Sequence, residues 1–162
     1  MHQPTGLLIS TYNVDGVPLS AGECPEGSTI YMSAHMLQIV DPQFAQDQYD
    51  RAHRELGRTF AGFGYAQEWS SLCQGTPDID SGPIIPLLEA SAASSGMAVL
   101  GAAAFKDNET LMGLIKSLEF VGFPHVEGQT LRYRASNPVG DAVLLYGLVE
   151  GPLWRRVLKE KS

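Results

Sequence analysis

Three long stretches of this sequence carry almost no charge, and they begin near Ser28, Pro83 and Pro138, about 55 residues apart each time. Each is followed by a stretch in which apolar residues recur every three or four positions and charges fill the places between. A helix with no polar face needs neighbours on every side, whereas a helix with one polar face borders water. The alternation therefore describes helical hairpins stacked in two layers, one inner and one outer.

Local signals mark where these helices begin. Ser28 or Thr29 offers a cap to a helix over 30–40. Asp41-Pro42 is a strong start, because Asp caps free amides and proline at the first helical position forfeits no hydrogen bond. A helix over 42–60 follows, with Ala45, Tyr49, Ala52, Leu56 and Phe60 on one face and the pairs Asp47/Arg51 and Asp50/Arg54 on the other. Asp78-Ile79-Asp80-Ser81-Gly82-Pro83 opens a buried helix to about Phe105, in which Ser91, Ala92 and Ser95 should lie at close helix contacts. Asp107-Asn108 caps an amphipathic helix closed by Gly122, and Ser136-Asn137-Pro138 starts an apolar one to Val149. Gly151-Pro152 begins a last helix to about Lys159.

Between these lie weaker features. Residues 6–19 form a small β-hairpin about Asp15-Gly16, 62–77 read as irregular and glycine-rich, and 130–134 as a short strand. The expected fold class is all-α: helical-hairpin repeats forming part of an α/α toroid, with a small N-terminal β-hairpin. At 162 residues the chain is expected to be a single domain, 1–162, and a C-terminal portion of a larger toroid, since a closed ring needs about twice as many hairpins. Self-association or a missing N-terminal half would then cover the inner helices.

A net charge of −7 and a pI near 4.9, with no cluster of Lys and Arg, exclude nucleic acid as the expected partner. Residues 84–104 are long enough to span a membrane, but Pro86, Glu89, Ser91, Ser94 and Ser95 suit a helix buried in protein, so no membrane is expected. Cys24 and Cys73 lack the spacing of a zinc site. Free thiols are expected, with a single bridge as the alternative. No secretory leader is visible at residues 1–6, and a cytoplasmic location is expected. His2, His35, His53 and His125 show no paired spacing, so neither metal nor cofactor is expected.

If loops entering the inner helices converge at one end, they bring together the polar residues of 23–31, 62–83 and 125–141. Asp78 and Asp80, at a helix start, are expected as general bases or as caps. Glu89, expected inside an uncharged helix, would be a general acid kept protonated by burial, or a core hydrogen-bonding group. Glu68-Trp69 with Tyr65 pairs a carboxylate with aromatic faces, as sugar-like ligands require, and Tyr31 joins their cavity. His35 on the first inner helix, Arg134 before the last and Asn137 at its start complete the expected ligand-binding set, each with a structural role as alternative.

Gly62-Phe63-Gly64-Tyr65-Ala66 with Glu68-Trp69, followed by 78–83, resembles segments of bacterial α/α-toroid proteins, across roughly residues 20 to 158. That group contains toroid glycosidases, sugar epimerases and enzymes of the linalool dehydratase-isomerase type. The resemblance implies the toroid fold but transfers no catalytic residue. The expected function is an enzyme domain performing acid/base chemistry on a hydroxylated small molecule, such as a sugar or terpenoid alcohol, as a lyase, isomerase or glycosidase. The alternative is a non-catalytic helical-repeat binding module.

Overall fold

The computed structural model describes residues 1–19, 22–76, 84–136, 138 and 140–149. Helix α1 (Gly27–Leu37) opens without a side-chain cap from Glu26. Asp41 accepts the amide of Phe44 at 3.0 Å to open α2 (Pro42–Leu56). Ser91 does the same for Ser94, at 3.0 Å, at the start of α3 (Ala92–Ala104). Asp107 accepts the amide of Thr110 at 3.1 Å and opens α4 (Asn108–Val121). Residues 140–149 form a fifth helix, α5.

The chain is mixed α/β rather than all-α. Three two-stranded antiparallel sheets stand among the helices: β1 (Gly57–Phe60) with β2 (Phe63–Ala66), β3 (Ile84–Ile85) with β4 (Ala90–Ser91), and β5 (Pro124–Glu127) with β6 (Thr130–Tyr133). The helix expected over 42–60 stops at Leu56, because Ala61 and Gly62 both take positive φ, 50° and 79°, and turn the chain into a hairpin. The buried helix expected from Pro83 begins only at Ala92. Ile85 precedes Pro86, whose ring disfavours helical geometry there, and Leu87 and Glu89 adopt φ of 78° and 53° in a tight turn. The N-terminal hairpin reduces to a bridge between Tyr12 and Pro18 about the Asn13 turn.

The order of elements repeats over a longer interval than the expected one of about 55 residues. Helix, helix and hairpin recur in order, with starts moving from 27 to 92, from 42 to 108 and from 57 to 124, about 66 residues each time. Helices α1 and α3 pack on each other, α2 packs on α1, and α4 on α3. Tyr31, Ile30 and Ala34 of α1 meet Ala98, Val99 and Ala102 of α3 in one core, which Leu144 of α5 joins. Ser91 is buried and Ser95 holds the Ala66 amide at 3.0 Å, but Ala92 faces outward, contrary to the expected contact. Met32 and Met36 on α1 and Leu145 and Leu148 on α5 are exposed. Among the described residues no helix is long and apolar enough to cross a membrane.

The first hairpin belongs to one repeat yet docks on the second helix of the next, α4. Strand β2 lies against α4 through two glycines: a Cβ on Gly64 would stand 2.9 Å from the carbonyl carbon of Gly113 and from the amide of Leu114. Only glycine permits this approach. Gly64 and Gly113 both line a cleft beside this contact.

Candidate functional site

A cleft of about 800 Å³ lies between α1, the end of α2, the first hairpin and α4. Tyr31 reaches it from α1, His53 from α2, Arg58 from β1, Tyr65 from β2, and Asp107 from the start of α4. Ala98, Leu114 and Ile115 make its apolar wall. Gly101 makes room for the aromatic side: its missing Cβ would stand 3.1 Å from the Tyr49 ring and 3.2 Å from that of Tyr31. The two rings meet edge to face at 6.2 Å.

Tyr31 is only 1% exposed, and its hydroxyl has no hydrogen-bond partner among the described residues. Burial pushes this phenol well above its ordinary value; the positive Arg58 opposes the shift and the negative Asp107 adds to it. At neutral pH Tyr31 is therefore a neutral hydroxyl, able to donate and to accept. Tyr49 donates to Asp107 at 2.8 Å, and burial together with that bond raises the Tyr49 phenol as well. Burial alone would raise Asp107, but hydrogen bonds from Thr110 and Tyr49 outweigh it and hold the carboxyl below the usual range. His53 stacks on Tyr49 with centroids 6.2 Å apart, and its buried Nδ1 lacks a partner among the described residues.

Glu68 heads a different constellation. Its carboxylate is 2% exposed and accepts four hydrogen bonds: from the Ser28 hydroxyl at 2.6 Å and amide at 3.2 Å, from Ser91 at 2.6 Å and from Ser94 at 2.8 Å. Its carbonyl takes the Gly27 amide at 2.8 Å. Glu68 thus caps α1, whose own Glu26 does not, and braces the start of α3. Gly27 must lack a side chain here, since a Cβ would collide with the Ser94 hydroxyl and the Gln67 carbonyl. A cavity of about 150 Å³, lined by Gln67, Glu68, Trp69, Gln74, Ile84 and Glu89, adjoins the cluster.

The expected single cavity is therefore two. Tyr31 and Tyr65 line the large cleft, while Glu68, Trp69 and Glu89 line the small one. Asp78, Asp80 and Asn137 lie outside the described residues. Glu89 is exposed on the tight turn before β4 and accepts from the Gln67 amide at 3.0 Å, so the burial expected of it does not occur. His35 is fully enclosed and lines neither cavity; its Nε2 is 3.1 Å from the Tyr146 hydroxyl. Arg134 is exposed beyond β6 and also lines neither.

Arg58, His53 and Asp107 went unrecognised in the sequence as site residues. Asp107 carried a cap signal and nothing more, and His53 looked like one polar position of an amphipathic helix. Among the described residues no group of three His, Cys, Asp or Glu side chains is placed to hold a metal ion. Cys24 and Cys73 are joined in a disulfide with Cα atoms 5.5 Å apart, rather than standing as free thiols. No protein-family model and no curated protein sequence matches the chain.

Proposed function

We propose that the large cleft is the active site of an enzyme performing acid/base chemistry on a hydroxylated small molecule. The observation that carries this reading is Tyr31, an enclosed phenol with no hydrogen-bond partner among the described residues at the edge of a cleft of about 800 Å³. Tyr31 lines the cleft, and its hydroxyl keeps both its donor and its acceptor uncommitted among the described residues, as a group that meets a ligand oxygen requires. In this reading Tyr31 binds a substrate hydroxyl, His53 exchanges the proton, and Arg58 and Asp107 set the local field. The apolar wall of Ala98, Leu114 and Ile115 accommodates a hydrocarbon portion, which suits a terpenoid-type alcohol as well as the face of a sugar.

The test is conversion of a panel of sugars, polyols and terpenoid alcohols, followed by NMR for water elimination, isomerisation or glycosidic cleavage. One class should turn over, and His53→Gln should slow it by about 10²–10⁴-fold. Conversion of none, or full activity of the variant, contradicts the assignment.

A second reading, a non-catalytic binding module, is favoured by one observation. Glu68, 2% exposed, accepts all four of its side-chain hydrogen bonds from residues at helix starts. Ligand binding without turnover would support that reading.

A further inference from the structure

On the two sides of Ser70 the chain is held by different kinds of bond. Up to Glu68 it is pinned by hydrogen bonds to other elements: Gln67 donates its amide to the Leu56 carbonyl at 3.0 Å, and Glu68 is bound to Gly27, Ser28, Ser91 and Ser94. Beyond Ser70 the hydrogen bonds turn inward. Cys73 donates to the Ser70 carbonyl at 3.0 Å, Leu72 to the Ser70 hydroxyl at 3.0 Å, and the Gln74 side chain to the same carbonyl at 3.4 Å. Among the described residues, the Cys24–Cys73 disulfide is the one bond that fastens 71–76 to another part of the chain, the approach to α1.

That short segment covers something. Gly75 packs on the Trp69 indole so closely that a Cβ would collide with the ring, and Trp69 is only 8% exposed. Gln74 forms one wall of the small cavity shared by Glu68 and Trp69. Loosening the segment removes a wall and uncovers an aromatic face. The hydrogen bonds that hold Glu68 to the helices do not pass through it.

We propose that the Cys24–Cys73 disulfide is a redox-operated clasp, whose reduction by a dithiol releases residues 71–76, uncovers Trp69 and opens the cavity beside Glu68. Two electrons and two protons pass from the dithiol, which closes to its own disulfide, while the Cys24–Cys73 bond breaks to give two thiols. In a reducing cytosol such bridges are transient or sensing, whereas in an oxidising compartment they persist. The clasp is open in the first setting and shut in the second.

The test uses the full chain carrying Trp154→Phe, so that Trp69 alone reports, with acrylamide quenching measured before and after dithiothreitol. The quenching constant should rise on the order of threefold as a covered indole becomes an open one, with far-ultraviolet circular dichroism unchanged. The Cys24→Ser/Cys73→Ser double variant should give the raised value without reductant. Should Trp154→Phe fail to fold, fluorine NMR of the wild-type chain labelled with 5-fluorotryptophan reads the same opening. Three results overturn the proposal: two alkylatable thiols in the unreduced protein, reduction that leaves Trp69 equally shielded, or reduction that abolishes the helical signal.

Discussion

The carboxylate of Glu68 and the hydroxyl of Ser91 lie 2.6 Å apart, and this bond ties the start of α3 to the residue that also caps α1. Removing the acceptor takes its partner from the buried Ser94 hydroxyl, breaks the bond from Ser91, and leaves the Ser28 amide without its cap. Glu68→Ala should destabilise the fold by on the order of 3 kcal/mol or more, since each stranded buried donor costs about 1–3 kcal/mol. Glu68→Gln keeps one acceptor oxygen and should cost about half as much. Urea unfolding of the two variants checks the order.

Gly64 and Gly113 set the spacing between β2 and α4. Gly64→Ala places a methyl 2.9 Å from backbone atoms that cannot turn aside, and should cost about 1–3 kcal/mol through overpacking. Gly96, within α3, has nothing within 4 Å of its absent Cβ. Gly96→Ala should therefore stabilise by up to about 1 kcal/mol, the ordinary helical preference. The opposite signs, read by thermal melts, separate steric from conformational effects.

His35 predicts a pH dependence. Burial lowers its imidazole from the ordinary 6.5, so the folded protein holds it neutral where the unfolded chain would take up a proton. Its contribution is fully present above the ordinary value and is lost as pH falls through the lowered one. The Tm should decline as pH drops from about 7 towards about 5, and His35→Gln should flatten that decline. Asp107, whose folded value is also lowered, adds a further loss that starts near the ordinary 3.8 and deepens as pH falls below it.

The disulfide closes a loop with a sequence separation of 49 residues. Its loss should cost about 2–4 kcal/mol by freeing the unfolded chain. The Cys24→Ser/Cys73→Ser variant, unfolded in urea beside the oxidised wild type, gives the difference directly.

What the sequence disclosed was whatever is decided within a few residues. Asp41-Pro42 and Asp107-Asn108 were legible because a cap and the amide it binds are near neighbours, whereas Gly122 ends α4 with φ −76° and leaves the left-handed position to Phe123, at 50°. Strand β6 and the apolar helix after Pro138 were legible for the same kind of reason. The first hairpin was hidden, since Ala61 gives no hint that it will take a left-handed conformation and Arg58 sits in an apparent helix. Pro83 drew the helix start nine residues too early, where Pro86 and Ser91 were the better local clues. The division of the expected site into two cavities depends on β2 docking against α4, a contact between distant residues that no local pattern announces.

The account rests on Tyr31, and ligand binding by Tyr31→Phe tests it most directly. The Tyr31 hydroxyl has no hydrogen-bond partner among the described residues, so its removal should leave the melting temperature of the free protein nearly unchanged. Titration calorimetry with whichever sugar, polyol or terpenoid alcohol raises the wild-type Tm should show Kd weakened by about 5–10-fold in the variant, the worth of roughly one hydrogen bond. An unaltered Kd, or a variant that melts far below the wild type, would mean that the hydroxyl serves the fold rather than a ligand, and the cleft would lose its claim to be the active site.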